Sequence, residues 1–368
     1  MALERYFLAA WQTVSGVGSA QLTELRQQFG SARVAWGLSA EELLHSRALE
    51  PRALAAFLET RRQRPDLPAE LADACGAKGI SVCSFWEDGY PPLLRQSFRP
   101  PAVLFYRGTL CPDKERLAVV GSRRCSPYGR GAAKLLAEAV AKAGITIVSG
   151  AARGIDTQSH CGALQAGGRT VAVLGCGPDI VYPSENRRLL DELAETGVVL
   201  SEYAPGTPPL PAFFPARNRI ISGLCRGTLV VEAAERSGSL ITAELALDNG
   251  RDVFAVPGSI FSDTSRGCHR LLQQGAKLVT QPADILEEYG CTSQPPVKAA
   301  REALSNEENR IYEVLSIEQP LSMDEIIYKL QGSNTANIAF LLLQMEMKGL
   351  VEETAVHSYV RAAKEDNL

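Results

Sequence analysis

The chain has 368 residues, with 38 Lys+Arg against 42 Asp+Glu for a net charge of −4, and 45% hydrophobic against 22% charged residues. That balance excludes a disordered tail protein, a coiled coil and a collagen-like chain, and the length suggests two or three domains that need no disulfide staples. No stretch approaches the ~18 consecutive apolar residues of a membrane span, and the start Met1-Ala-Leu-Glu-Arg-Tyr6 lacks the order of a cleaved secretory signal.

Residues 1–82 read as a small helical domain, sterile-alpha-motif or helix-hairpin-helix-like. Val14-Ser-Gly-Val-Gly18 precedes an apolar helix pattern at Leu22, Leu25 and Phe29, then Gly30-Ser31. A Gly-x-Gly turn between short helices resembles a helix-hairpin-helix unit, whose turn amides can hold a DNA phosphate. Plain helical packing is the favoured reading of this weak signal. From 83 to 290, β-rich apolar runs alternate with helical patterns. The runs are Leu117–Val120, Ile145–Ser149, Thr170–Gly175, Val198–Ser201, Thr228–Glu232, Asp252–Val256 and Lys277–Thr280. Strands apolar on both faces, separated by helices, predict an α/β fold with a doubly wound, mostly parallel sheet. Residues 291–304 lose the periodicity and read as a linker. In 305–368, Ser305-x-x-Glu308 and Ser322-x-x-Glu325 are capping boxes that each open a helix. A third helix starts near Ser333-Asn334 and ends at Gly349, and Leu350–Thr354 with Val356–Arg361 predict a hairpin, together a winged-helix pattern.

The chemistry concentrates at strand ends. After the first run come Gly121, Ser122, Arg123 and Arg124, then Ser126-Pro127 as N-cap and first helical residue. Helix N-termini attract anions, a glycine admits a phosphate to the backbone, and arginines add charge-assisted contacts. Arg130 lies near the start of the same helix. The second strand end repeats this with Ser149, Gly150, Arg153 and Gly154; Asp156 is expected as the helix N-cap. After the third, Asn186, Arg187 and Arg188 stand in a first helical turn, where basic residues oppose the helix dipole and hint at an anionic partner. Tyr182 offers a face for base stacking, although an ordinary half-buried tyrosine fits equally. In a later helical stretch Arg217 and Ile221 share one face and Asn218 and Ser222 another, and Ser237, Gly238 and Ser239 place small hydroxyl groups at another helix start. No nucleophile constellation, P-loop lysine motif or dinucleotide fingerprint is legible. Nine cysteines without C-x-x-C spacing and four scattered histidines argue against a metal site, and unpaired cysteines fit a reducing cytoplasm. His160-Cys161 is read as structural.

An ordered series of motifs resembles the bacterial DNA-processing protein A family (DprA, or Smf) over about Tyr90 to Leu286. It runs through Gly121-Ser-Arg123, Ser149-Gly-x-Ala-x-Gly-Ile-Asp156, Tyr182-Pro-x-x-Asn186, Phe214-Pro-x-Arg-Asn-Arg-Ile-Ile-Ser222, Ser237-Gly-Ser-Leu-Ile-Thr-Ala243 and Val253-Phe-Ala-Val-Pro-Gly258. The resemblance implies an extended Rossmann-like fold, flanked by the helical and winged-helix domains. It implies a cytoplasmic homodimer that binds single-stranded DNA through backbone phosphates and loads the RecA recombinase onto it in natural transformation. No enzyme activity, cofactor or metal is implied. The implied phosphate contacts fall on Gly121, Ser122 and Arg123, on the Ser149–Gly154 loop, and near Asn186 and Arg217.

A competing class is a nucleotide or nucleoside-phosphate hydrolase on a related fold, with Asp156, Glu202 or Glu232 as its carboxylate. Charge is uneven along the chain. Residues 116–277 carry 18 basic against 14 acidic residues, a net of +4, and residues 305–368 carry 5 against 11, a net of −6. Phosphate neutralisation dominates DNA affinity, so the acidic C-terminal module is expected not to be the main DNA contact.

Overall fold

The computed structural model describes residues 4–111, 115–291, 304–317, 319–330, 335–355 and 357–362. Six short helices come first: α1 (Glu4–Gln12), α2 (Ser19–Phe29), α3 (Ala32–Gly37), α4 (Ala40–Ser46), α5 (Pro51–Gln63) and α6 (Leu67–Ala77). They close around Trp11, which stacks on Phe57 with ring centroids 3.9 Å apart, while Trp36 meets both rings edge-on. In the turn after α1, the Val17 amide donates to the Val14 carbonyl and the Gly18 amide to Gln21 Oε1. Two amides of the helix-hairpin-helix-like turn are thus held internally.

The main sheet contains β1 (Ser81–Ser84), β2 (Val103–Gly108), β3 (Arg116–Val120), β4 (Thr146–Ser149), β5 (Thr170–Leu174), β6 (Val198–Ser201), β7 (Gly227–Val230), β8 (Asp252–Ala255) and β9 (Lys277–Leu278). Its spatial order is β1-β2-β6-β5-β4-β3-β7-β8-β9. β3 to β9 are parallel, and β1 and β2 extend one edge antiparallel. Between strands lie α7 (Pro92–Arg95), α8 (Pro127–Lys142), α9 (Ile155–Gln165), α10 (Arg187–Thr196), α11 (Phe213–Leu224), α12 (Gly238–Asp248) and α13 (Arg266–Gln273), and α14 (Ala283–Leu286) follows β9. Every parallel strand of the expected series is present, with Val198–Ser201 unchanged and the other strands' ends matched to within two residues. The antiparallel pair β1–β2 was not anticipated.

Strand alternation explains the layers. Leu117 and Val119 of β3 point into a core with Ala133, Leu136 and Val140 of α8 and Ile155 of α9. Ala118 and Val120 point the other way, toward Ile220, Ile221 and Leu224 of α11 and Leu240 and Ala243 of α12. Both faces are covered by helices, so both side-chain sets must be apolar. Val82, Val103 and Phe105 of β1 and β2 instead share the core of the N-terminal helices. The division expected at 82/83 therefore falls inside β1.

The chain runs from β3 outward to β6, then crosses back to place β7 on the other side of β3. The gap between the C-terminal ends of β3 and β7 is the switch point at which ligands bind on open parallel sheets.

Residues 292–303, most of the expected linker, lie outside the described residues, as do Ser333, Asn334 and Val356. Beyond them stand α15 (Asn306–Val314), β10 (Leu321–Ser322), α16 (Met323–Lys329), α17 (Thr335–Met347), β11 (Val351–Ala355) and β12 (Ser358–Arg361), with β12 between β10 and β11 in a small antiparallel sheet. Both capping boxes form, on Ser305 with Glu308 and on Ser322 with Glu325.

Two glycines test this packing. A Cβ on Gly162 of α9 would lie 2.3 Å from the Lys134 carbonyl oxygen of α8, whereas one on Gly76 of α6 would meet nothing within 4 Å. Gly162→Ala is expected to lower stability by about 1–3 kcal/mol, and Gly76→Ala to leave it unchanged or raise it by up to about 1 kcal/mol. Urea unfolding of the two variants measures both.

Candidate nucleic-acid interface

A cavity of about 510 Å³ opens at the switch point. The turn after β3 supplies Gly121, Ser122 and Arg123; the loop before α12 and its first turn supply Ser237, Gly238, Ser239 and Thr242; α11 supplies Phe214, Arg217 and Asn218. Tyr182 and Asp156 complete the wall. A small adjoining recess is lined by Gly150, Arg153, Tyr182 and again Arg123, Phe214 and Arg217.

The first turn is held from below by Glu232, whose carbonyl oxygen accepts the Ser122 amide at 2.8 Å. Its carboxylate accepts both the Ser126 amide, at 2.9 Å, and the Ser126 hydroxyl. Ser126 is the expected N-cap of α8, and its Oγ accepts the Gly129 amide at 3.0 Å. A Cβ on Gly129 would lie 2.4 Å from the Glu232 carboxyl carbon, so only glycine permits this approach. The second turn docks on the first: Gly154 has φ +79°, and a Cβ there would sit 2.3 Å from the Ser122 carbonyl oxygen.

Asp156 is not the N-cap expected from the sequence. That position belongs to Gly154, and Asp156 lies in the first turn of α9. Its buried carboxylate turns back to accept the amides of Gly150 and Ala152, at 3.1 and 3.3 Å. Burial raises its pKa, against the pull of the nearby Arg217 charge and these hydrogen bonds. Arg217 is only 4% exposed, and its guanidinium donates to the carbonyls of Gly150, at 2.9 Å, and Val173. Burial lowers its pKa to about 10. The backbone of Gly150 approaches so closely that a Cβ would lie 2.4 Å from the guanidinium.

The charged groups thus differ in what they face. Among the described residues lining the cavity, Arg123 is the exposed cation, its guanidinium 5.4 Å from the centre of the Phe214 ring. Tyr182 is 39% exposed and its ring lies 5.3 Å from that of Phe214. Arg217 contributes to the wall, but its cationic head meets carbonyl oxygens. Arg153 borders the adjoining recess and pairs with Glu185 on the surface. Arg124 and Arg187 are exposed outside the cavity lining. Ser149 is buried and donates to the Val119 carbonyl at 2.6 Å, and Asn186 donates to the Ala151 carbonyl at 3.0 Å. These last two shape the turns from within. Phe214, Pro211, Ile221, Ile241 and Thr242 also line the cavity and were not singled out as site residues. The aromatic pair Phe213-Phe214 just before Arg217 was the available signal for Phe214.

The model of the DNA recombination-mediator protein A family matches residues 81–290, which include every residue of this cavity. The chain belongs to that family. It is thereby a protein of DNA processing and recombination mediation. It is 52% identical over 207 residues to DNA processing protein DprA of Streptococcus pneumoniae, covering 56% of this chain and 73% of that one. It is 50% identical over 200 residues to Protein Smf of Escherichia coli, covering 54% of each. The X-ray structure of DNA processing protein A from S. pneumoniae superposes with a TM-score of 0.67 at 40% identity, covering 77% of this chain and 97% of that one. DNA processing protein A from Helicobacter pylori, whose structure is described by its single-stranded DNA binding mode, superposes at 0.52 with 30% identity, covering 57% and 95%. The family match thus spans the mainly parallel sheet and its two antiparallel edge strands, and leaves α1 to α6 and the C-terminal elements outside it.

Beneath the cavity, His160 is fully buried, with Nδ1 2.6 Å from the Thr170 hydroxyl. Burial and the Arg217 charge depress its pKa to about 3. Native His160 therefore stays neutral where the unfolded chain takes up a proton, so stability falls as pH drops from about 6.5 toward 3. Between pH 7.5 and pH 5, His160→Gln is expected to lose about 2 kcal/mol less stability than the parent chain. Urea midpoints at the two pH values measure the difference.

Proposed function

We propose that this protein binds single-stranded DNA without cleaving it, with one backbone phosphate seated between the Gly121–Arg123 turn and the N-terminus of α12. The observation that carries the reading is the convergence of two anion-binding devices at one switch point. Arg123 supplies an exposed charge, and the Ser237–Ser239 turn supplies hydroxyl groups at a helix start with no carboxylate partner of its own. Tyr182 and Phe214, tilted at 35° to each other with Arg123 near the Phe214 ring, offer ring faces to an unstacked base. The single-stranded DNA binding mode described for the H. pylori relative points to the same ligand.

The hydrolase alternative is weaker on geometry. The Glu202 carboxylate pairs with Arg219, and the Glu232 carboxylate is taken by Ser126. Asp156 lines the cavity, but its carboxylate is occupied by loop amides. None is presented as a free base toward a sugar.

On this reading residues 83–290 form the DNA-binding unit, residues 1–82 a helical accessory and residues 305–368 an acidic winged-helix accessory. The protein works in the cytoplasm as a homodimer that delivers single strands to a RecA-type recombinase. Among the described residues no helix is long and apolar enough to cross a membrane.

Arg123→Ala is expected to weaken binding of an oligonucleotide about tenfold or more and to reduce the salt slope of log K by about 0.7. Filter binding across a salt series tests this. Unchanged affinity, or release of base or phosphate from a nucleoside monophosphate by the parent chain, would overturn the reading. A chain ending at residue 291 is expected to keep most of its single-strand affinity, because the segment it lacks is acidic. A gel-shift comparison with the full chain checks it.

A further inference from the structure

A second surface, unrelated to the cavity, stands out at the C-terminal end. Helix α17 is apolar nearly all round. Ile338, Leu342 and Met345 enter the core shared with Ile311 of α15, Ile326 of α16 and Val351 of β11. Its opposite side presents Phe340, Leu343 and Met347, 56%, 56% and 84% exposed. Positions i, i+3 and i+7 lie on one helical face, so the three form a continuous stripe. A helix apolar on all sides is normally enclosed, and an exposed apolar stripe marks a contact surface.

The charges around the stripe decide what covers it. Glu346 is exposed on α17 itself, and Glu352 and Glu353 are exposed on β11, which packs against the buried side of the helix. Glu307 is exposed and accepts a hydrogen bond from Asn337 of α17 at 2.8 Å. The nearby cation Lys348 is paired with Glu308 at 2.7 Å. Duplex DNA would meet these carboxylates as an anion meets anions. A second copy of the same face would bring the same carboxylates into apposition.

We propose that the exposed face of α17 is a docking surface for a cationic amphipathic helix of a partner protein. Apolar side chains of that helix lie along Phe340, Leu343 and Met347, and its lysines or arginines reach Glu346 and Glu307. This is the helix-on-apolar-face mode of recognition, with charge fixing the choice of partner. Methionine at the end of the stripe adapts to varied apolar anchors.

The test uses the full chain and a labelled model peptide of leucine and lysine in helical spacing, followed by fluorescence anisotropy. A second peptide carries glutamate in place of lysine. The lysine peptide is expected to bind and the glutamate peptide not to. The double variant Phe340→Ser, Leu343→Ser and the single variant Glu346→Lys are each expected to weaken lysine-peptide binding about tenfold or more. Circular dichroism and single-stranded DNA affinity remain at parent values, which separates this proposal from the cavity's function. Four results would overturn it: no binding of the lysine peptide by the parent chain; full binding by the double serine variant, which reduces the effect to bulk charge; sedimentation showing self-association that the double variant abolishes, which makes a second copy the occupant; or duplex-DNA affinity lost in the double variant.

Discussion

The cavity depends on Arg217. Its guanidinium draws the Gly150 and Val173 carbonyls together, while the Asp156 carboxylate gathers the Gly150 and Ala152 amides of the same turn. Donors and acceptors left over at the ends of β4 and β5 thus satisfy one another through two buried, oppositely charged side chains. Removing either side chain would leave buried backbone amides or carbonyls without a partner, a loss of about 1–3 kcal/mol for each such group. The consequence is a rigid cavity floor. Arg123, which carries no such burden, keeps its charge at the opening.

Glu232 plays the matching part on the other side of the switch point. Its main chain pins Ser122, and its side chain holds the cap of α8. A carboxylate buried between the two turns proposed to hold a phosphate would repel it if it were free. Engaged with the Ser126 amide and hydroxyl, it instead fixes the turn against which the phosphate is proposed to rest. The turn thus combines fixed amide and hydroxyl groups with Arg123, among the described residues the one exposed cation of the cavity lining.

Much of this was legible in the sequence, for physical reasons. β3 to β8 are short β-branched runs between helices, and enclosure on both faces forces them to be apolar throughout. Ser126-Pro127 named the start of α8 because an N-cap and a first-turn proline do so with little tertiary help. The antiparallel edge was not legible. β1 follows directly on α6 and takes its meaning from the helices packed on Val82, Val103 and Phe105. The cavity turns could be read from glycine and arginine alone, but the direction of each arginine could not. Arg123 and Arg217 look alike in a string of residues; one faces solvent and the other faces carbonyls, because Gly150 leaves room for a guanidinium. Asp156 likewise was read as capping its own helix, whereas it secures the preceding turn.

The N-terminal helices are joined to the sheet by more than apolar contact. The Gln12 side chain of α1 donates to the Val103 and Glu202 carbonyls and accepts the Val103 amide, closing the buried start of β2 like an added strand residue. Lys78, just after α6, pairs with Asp179, which in turn receives the Gly206 amide of the segment leading to Pro211 and α11. Loss of α1 to α6 would therefore remove two things at once: the cover of the β1–β2 edge and one anchor of the segment at the lip of the cleft. Mechanical support of the cleft thus reaches it from helices that line no part of it.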